Sequence, residues 1–342
     1  MTQTANCTID LDREGRSHGC LSIPVSTDTV PFALLRVPIL SLKNGDGPCV
    51  LLMAGCHGDE YEGVVALTNL FHDLTPESIR GQVILLPEAN APAVEAGSRI
   101  SPLDGGNLNR AYADTESTSP TARIARFIET TLLARASLVV DLHSGGGGVA
   151  YVPSTMIAAP DNGATTADVQ ALARVFGLPF CFIVDGADIH PGSLLAACGR
   201  LGIASISAEL AGGGTVSRAA VDLVDVALRR LLRRAGVLRD IDGGASGGSP
   251  PTTLLRRLPV GETIFAPASG IFEPLADLGD AVTAGQPAAR IHAVGSPWTA
   301  PRPVAFNRDG IVLCRRVPAQ TRRGDGLFKL GVSFDSRPRD EA

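Results

Sequence analysis

Short apolar runs alternate with segments of helical pattern between about Phe32 and Arg234, and this alternation constrains the fold more than any other feature. The runs that predict strands are Phe32–Leu42, Pro48–Ala54, Gln82–Leu86, Leu138–Leu142, Phe180–Val184 and Ala204–Ala208. The segments that predict helices are Tyr61–Leu74, Thr121–Ala134, Ala167–Phe176, Ser193–Arg200 and Val216–Ala235. Continuous apolar strands are usually buried on both faces, so the pattern predicts an α/β sandwich with a mostly parallel or mixed sheet.

The chain changes character after residue 238. Residues 239–251 are rich in Gly, Ser and Pro, which predicts a flexible linker. Residues 252–342 contain many Gly and Pro turns and no clear helical pattern, which predicts a small all-β domain. The expected organisation is therefore an N-terminal segment (1–30), an α/β domain (31–238), the linker and the β domain.

The stretch 266–287 of the β domain resembles half of a biotinyl/lipoyl-type barrel. Domains of that type carry their cofactor on a lysine, and no lysine lies between Lys43 and Lys329. We therefore expect a structural or gating role for this domain.

Composition narrows the class of protein. The 342 residues are 44% hydrophobic, as in a globular protein, and the net charge of −5 without a basic tract argues against nucleic-acid partners. No apolar stretch approaches the ~20 residues of a membrane span, and residues 1–13 lack the apolar core of a signal peptide. The seven cysteines form no CxxC pair, and Cys49, Cys181 and Cys314 lie in apolar runs, which indicates buried thiols there and a reducing cytoplasm. Whether the chain is a monomer or a homo-oligomer stays open.

Two predicted strands are each followed by a histidine. The turn at residues 55–60 reads GCHGDE and places His57 three residues before Glu60, and residues 139–145 read VVDLHSG and contain His143. Carboxyl ends of parallel strands meet at one edge of a sheet. Two histidines and a glutamate are the protein ligands of a catalytic zinc that keeps one position open. His57 alone could be an ordinary turn residue, but the three together predict a metal site.

A general base must come from elsewhere if Glu60 binds the metal. Glu209 ends a predicted apolar strand, where burial would raise the pKa of its carboxyl to a useful value, although a structural ion pair is the alternative. Asp141 lies two residues before His143, on the same strand face, and can orient that imidazole. Asp59 is placed either for the same task or as a simple turn residue.

Four segments together carry a resemblance to a known family: HGDE (57–60), NLNR (107–110), DLHSG (141–145) and AEL (208–210). They resemble the aspartoacylase/succinylglutamate desuccinylase family, zinc enzymes of the carboxypeptidase A-like superfamily, over roughly residues 45–335. The resemblance implies a three-layer sandwich with a mixed central sheet, plus a small barrel-like all-β domain. It also implies one zinc ion per chain, held by His57, Glu60 and His143.

The family resemblance assigns further roles by motif. Glu209 would serve as general base and then general acid, and Asn109 with Arg110 would hold the α-carboxylate of the substrate. Arg99 would polarise the scissile carbonyl. The implied reaction is deacylation of a small N-acyl amino acid, and the wording of the motifs is most similar to the branch that deacetylates N-acetyl-L-2,4-diaminobutyrate in ectoine breakdown.

Several alternatives remain at this stage. The enzyme could instead be a desuccinylase or aspartoacylase that acts on another N-acyl amino acid, and a succinyl substrate would require an additional basic residue at the site. A cationic substrate would require an acidic residue, for which the loop candidates are Asp104, Glu116 and Asp188. A zinc carboxypeptidase shares the metal site and the carboxylate clamp. A binding module without activity and a lipoyl-like carrier are the other two alternatives.

Overall fold

The computed structural model describes residues 6–27, 29–158, 166–239, 251–256 and 263–333. Within these residues, fifteen strands pair into one mixed sheet and four into a second. The strands are β1 (Asn6–Cys7), β2 (Gly15–Val25), β3 (Ala33–Asn44), β4 (Cys49–Met53), β5 (Gly81–Leu86), β6 (Leu138–His143), β7 (Val149–Tyr151), β8 (Ser154–Ala158), β9 (Phe180–Val184), β10 (Ala204–Glu209), β11 (Thr253–Arg256), β12 (Thr263–Phe265), β13 (Gly270–Pro274), β14 (Ala281–Val282), β15 (Pro287–His292), β16 (Arg302–Ala305), β17 (Gly310–Arg316), β18 (Gln320–Thr321) and β19 (Gly326–Ser333).

The helices are α1 (Glu62–Asp73), α2 (Ala91–Ala96), α3 (Pro120–Phe127), α4 (Thr166–Phe176), α5 (Leu194–Leu201) and α6 (Arg218–Arg234). All five predicted helices are present, and α3 begins as expected, with the Ser119 side chain accepting a hydrogen bond from the Ala122 N–H and Pro120 at the first position. Beyond α3 the chain continues through a π-helical turn (Ile128–Leu132). None of the helices described is long and apolar enough to cross a membrane.

Four parallel strands form the centre of the large sheet, in the order β5-β4-β6-β10. On one side the sheet continues with β3, antiparallel to β5, and then with β2, antiparallel to β3. On the other side it continues with β8, antiparallel to β10. Every residue of β5 and β6 is buried, which explains why these strands are continuous apolar runs in the sequence. The carboxyl ends of β4, β6 and β10 lie side by side at one edge.

Helices cover both faces of this sheet. Helices α1, α4 and α6 pack against one face through residues such as Leu70, Phe176 and Leu228. Helices α3 and α5 pack against the other face through residues such as Ile124 and Leu194. The predicted three-layer α/β sandwich with a mixed sheet is therefore confirmed.

The segment 1–30, which the sequence analysis set apart, supplies strands to the same sheet. Eleven residues of β2 pair with β3, from Gly15 with Lys43 to Val25 with Ala33. Only part of β2 is buried, because it lies toward the edge of the sheet, and its mixed sequence GRSHGCLSIPV gives a weak strand signal.

The C-terminal part is all-β within residues 263–333, as expected. Its second sheet has the order β16-β15-β13-β18, and the part contains a core in which Phe328 contacts Phe272 and Phe306. Strand β11 pairs with β9 on one side and with β19 on the other, so the large sheet runs into this part without a break in hydrogen bonding. Residues 240–250 of the predicted linker lie outside the described residues.

Candidate metal centre and active-site cavity

Four side chains with acid–base or metal-binding chemistry meet at the carboxyl edge of the parallel strands. His57 and Glu60 follow β4, and His143 is the last residue of β6. Glu209 is the last residue of β10 and lies beside His143 in the parallel pairing of the two strands. Parallel neighbours bring residues that are far apart in sequence to one edge, which is why these four converge.

The turn that carries His57 is held by close backbone packing. Gly58 leaves no room for a side chain, because a Cβ atom there would lie 1.9 Å from the carbonyl carbon of Ala93 in α2. Gly55 has a φ of 64°, in the left-handed region that glycine adopts easily. The Asn90 side chain also donates a hydrogen bond to the Cys56 carbonyl oxygen (3.3 Å). The glycines of the GCHGDE motif thus fit the turn against α2.

Glu60 lies between the two imidazoles. Its Oε1 is 2.7 Å from His57 Nδ1, and its Oε2 is 2.9 Å from His143 Nδ1. The Ser144 N–H donates to Oε2 (3.2 Å), and Arg99 Nη1 donates to Oε1 (3.3 Å). The side chains of Glu60, His57 and His143 are at most 5% exposed, so the cluster is shielded from bulk water.

The donor set of this cluster fits a divalent metal ion. One ligand atom from each of His57, Glu60 and His143 lies within 4.8 Å of the others. Two imidazole nitrogens and a carboxylate suit zinc, and other divalent ions accept the same donors. His143 Nε2 lies 2.8 Å from Asp141 Oδ2, which leaves Nδ1 as the nitrogen that faces the cluster. These residues can hold a zinc ion.

The charges of the cluster favour cation binding. Burial opposes ionisation of Glu60, but the two histidines outweigh it and lower the pKa of this carboxyl to about 2. Burial also opposes charging of His143, yet Asp141 and Glu60 raise the pKa of this imidazole well above its usual range. The metal-free site therefore favours a bound proton, which a metal ion must displace.

Glu209 has the opposite environment. Burial raises the pKa of its carboxyl to about 8, and the negative charge of Glu60 acts in the same direction. Its Oε2 is buried and has no hydrogen-bond partner among the residues described. A carboxyl with this pKa can take up and release a proton near neutral pH.

A cavity of about 290 Å³ opens over the cluster. Arg99, Asn109 and Arg110 line it, as do His57, Glu60, His143 and Glu209. Asn109 Oδ1 accepts a hydrogen bond from the Leu194 N–H (3.0 Å), so its amide NH₂ is the group left to donate. Arg110 is exposed, and its Nη1 donates to the Asn109 carbonyl oxygen (2.7 Å). The structure thus brings all the predicted catalytic, metal and substrate-binding residues to one cavity.

Asp59 and Asp141 support this arrangement from outside the metal cluster. Asp141 contacts the imidazole of His143, as described above. Asp59 Oδ2 accepts a hydrogen bond from the Gly147 N–H (2.8 Å) and so ties the turn after β4 to the loop after β6.

Asp188 and Lys329 are charged residues of the cavity that had no definite role in the sequence-based predictions. Asp188 lines the cavity, whereas Asp104 accepts hydrogen bonds from Thr121 and Gly106, and neither Asp104 nor Glu116 is among the cavity-lining residues. Lys329, on β19, also lines the cavity. Lys329 is one of only two lysines among the thirty basic residues. This rarity is the one feature of the sequence that could have singled it out.

Comparisons with known proteins place these motifs in context. Residues 46–235 match the family model of the succinylglutamate desuccinylase/aspartoacylase catalytic domain. N-alpha-acetyl-L-2,4-diaminobutyric acid deacetylase of Halomonas elongata is 32% identical over 331 residues, covering 97% of this chain and 96% of that protein.

Two solved structures are also similar over most of their length. The product-bound ectoine utilization protein EutE (DoeB) from Ruegeria pomeroyi is 34% identical with a TM-score of 0.90, covering 96% of this chain and 98% of that one. A succinylglutamate desuccinylase/aspartoacylase from Rhodobacter sphaeroides is 32% identical with a TM-score of 0.88, covering 96% and 99%.

Proposed function

The chain belongs to the succinylglutamate desuccinylase/aspartoacylase family, and we propose that it deacetylates N-alpha-acetyl-L-2,4-diaminobutyrate to L-2,4-diaminobutyrate and acetate in ectoine breakdown. The proposal is based mainly on the buried cluster of His57, Glu60 and His143, which lines one cavity together with Glu209 and Arg110. The substrate is proposed by similarity to the Halomonas elongata deacetylase.

We propose that His57, Glu60 and His143 hold one zinc ion per chain. Zinc supplies Lewis acidity at such a site, because it lowers the pKa of water toward ~7 and polarises an acyl oxygen. Asp141 contacts Nε2 of His143, so that Nδ1 is the nitrogen that would bind the ion. Asp59 keeps the turn with Glu60 close to the loop that follows His143.

Glu209 is the proposed general base and acid. It accepts a proton from the attacking water and returns it to the leaving amine, so the amide bond breaks with the amine uncharged. Its raised pKa suits both transfers. A cation at the metal cluster would lower this pKa from its metal-free value, which keeps Glu209 ionised for the first transfer.

The arginines supply positive charge for the substrate. We assign Arg99, which reaches Glu60 at the cavity wall, to the oxyanion that develops on the acyl oxygen. Arg110 and the amide NH₂ of Asn109 are assigned to the α-carboxylate, since a guanidinium can pair with both carboxylate oxygens.

Asp188 is the proposed partner of the ammonium on the substrate side chain. It is exposed on the loop after β9, and it is the candidate acid that the structure places at the cavity. Arg110 and Asp188 thus offer opposite charges to the two charged ends of a diaminobutyrate.

A desuccinylase is the second candidate, and it is favoured by the position of Lys329. This lysine lines the cavity and would be the additional cation that a succinyl carboxylate requires. We disfavour a carboxypeptidase because Lys329 of β19, in the C-terminal part, forms part of the cavity wall.

The deciding experiment is a deacylation screen of the zinc-loaded enzyme. N-acetyl and N-succinyl derivatives of diaminobutyrate, aspartate and glutamate are compared, together with short peptides. We expect the highest kcat/KM for N-alpha-acetyl-diaminobutyrate. Faster release of succinate than of acetate would select the desuccinylase instead.

We assign the reaction to the cytoplasm, because all seven cysteines are free thiols.

A further inference from the structure

Two glycine-rich loops meet directly beyond the proposed metal site and the proposed proton carrier. The β6 loop (residues 144–148, SGGGG) follows His143, and the β10 loop (residues 210–214, LAGGG) follows Glu209. The parallel pairing of β6 with β10 ends at the pair formed by His143 and Glu209. Beyond that pair, the relative position of the two loops depends on direct contacts between them.

Backbone hydrogen bonds join the β6 loop to the β10 loop. The Gly145 N–H donates to the Ala211 carbonyl oxygen (3.1 Å), and the Gly214 N–H donates to the Gly146 carbonyl oxygen (2.7 Å). The two bonds run in opposite directions, so each loop both donates to the other and accepts from it. Glycine allows two backbones to approach this closely because it has no side chain.

Gly212 is the residue of the β10 loop with the least space around it. A Cβ atom there would lie 2.2 Å from the Val149 carbonyl oxygen and 2.9 Å from the Gly145 Cα atom. Its φ is 142°, a value that residues with a side chain rarely adopt. The next residue, Gly213, also has a positive φ of 81°, but a Cβ atom there would lie 3.7 Å from the nearest atom, in Val317, which is ordinary contact. The two neighbouring glycines therefore differ in the space available to a side chain.

The Val149 carbonyl is held in place by pairing with the C-terminal part. Val149 is the first residue of β7 and pairs with Arg316 on β17. Its carbonyl oxygen also accepts a hydrogen bond from the Gly213 N–H (3.1 Å). A side chain on Gly212 would therefore displace the β10 loop more readily than β7. Glu209 lies three residues before Gly212, at the end of the strand that leads into this loop.

Proton transfer is sensitive to such a displacement. A general base must lie within hydrogen-bond reach of the proton that it takes, and a misplacement of about 1 Å can cost on the order of 10²-fold in rate. We propose that Gly212 is a positioning residue: its contact with Val149 holds Glu209 at the distance from the metal cluster that proton transfer requires. This inference rests on the proposed deacylase function. The proposed substrate-binding residues Arg110 and Asp188 lie on other loops, so substrate binding does not depend on this contact.

The test compares Gly212→Ala with Gly213→Ala in the zinc-loaded enzyme. For N-alpha-acetyl-diaminobutyrate, kcat of Gly212→Ala, expressed per bound zinc ion, should fall on the order of 10²-fold while KM stays near the wild-type value. Gly213→Ala introduces a side chain at a positive φ in the same loop but without the close contact, so its kcat should stay near that of the wild type. Elemental analysis should find one zinc ion per chain in both variants.

The outcomes separate positioning from a general effect on folding. Equal kcat values in Gly212→Ala and Gly213→Ala would overturn the inference, as would a loss that appears only in KM. If Gly212→Ala does not fold, Gly145→Ala presses on Val149 from the other loop, since its Cβ atom would lie 2.0 Å from the carbonyl oxygen. Its control is Gly148→Ala, where nothing lies within 4 Å of a Cβ atom, and the same difference in kcat is expected. Absence of hydrolysis by the wild type would instead overturn the proposed function itself.

Discussion

Glu60 and Glu209 are two carboxyl groups in one cavity, and their pKa values move in opposite directions. In the metal-free protein the histidines hold Glu60 ionised, whereas burial and the charge of Glu60 raise the pKa of the Glu209 carboxyl to about 8. Carboxyl groups separated in this way commonly divide into a charged ligand or nucleophile and a proton carrier. The assignment of Glu60 to the metal and Glu209 to proton transfer follows from this difference.

Replacing Glu209 by Gln should remove the proton carrier while keeping the shape of the side chain. We expect kcat to fall by on the order of 10²- to 10⁴-fold. Zinc content, measured by elemental analysis, should remain that of the wild type because Glu209 is not among the proposed ligands. Near-normal turnover in this variant would remove Glu209 from the role.

The same substitution should change how stability depends on pH in the metal-free protein. Folded Glu209 holds its proton to about pH 8, whereas the usual value is 4.5, so the folded state binds more protons between these pH values. This contribution to stability is present at low pH and is lost as pH rises through the window. The Tm of Glu209→Gln relative to wild type should therefore rise by roughly 2–5 °C between pH 5 and pH 9. A Tm difference that does not change with pH would contradict the buried, protonated state.

Asp188→Asn should separate side-chain recognition from catalysis. With N-acetyl-diaminobutyrate, loss of the negative charge should raise KM by about 10-fold, equivalent to ~1.4 kcal/mol. N-acetyl-2-aminobutyrate, which lacks the ammonium, serves as the matched substrate and should be hydrolysed equally well by both enzymes. An equal loss of kcat/KM on the two substrates would show that Asp188 does not bind the ammonium group.

At the scale of elements, the turn between β4 and α1 depends on its contact with α2. A Cβ atom on residue 58 would lie 1.9 Å from Ala93, so Gly58→Ala must displace the turn that carries His57. We expect a loss of about 1–3 kcal/mol in stability and a clear loss of bound zinc. Gly148→Ala is the matched control, because nothing lies within 4 Å of a Cβ atom there. Full zinc content in Gly58→Ala would contradict this view of the turn.

The elements also show what the sequence could predict. The central strands were predictable because burial on both faces makes them continuous apolar runs, and the histidine motifs follow such strands directly. Strand β2 was missed because it is only partly buried, and β7 is only three residues long. Lys329 reaches the cavity through the pairing of β19 with β17 and β11, and no local pattern encodes such pairing.

At the scale of the whole molecule, one sheet joins the metal cluster to the C-terminal part. Strand β11 bridges β9 and β19, so Lys329 and Leu330 are held in place by the same hydrogen-bonded sheet whose strand β10 ends at Glu209. The C-terminal part therefore supplies part of the walls of the site, through Lys329 and Leu330.

The most direct test of a zinc-dependent deacetylase is acetate release from N-alpha-acetyl-L-2,4-diaminobutyrate during removal and return of zinc. We expect full activity at one zinc ion per chain, loss of activity on treatment with a chelator, and recovery when one equivalent of zinc is restored. Acetate release that is unaffected by complete metal removal, or no release from a chain carrying one zinc ion, would contradict it.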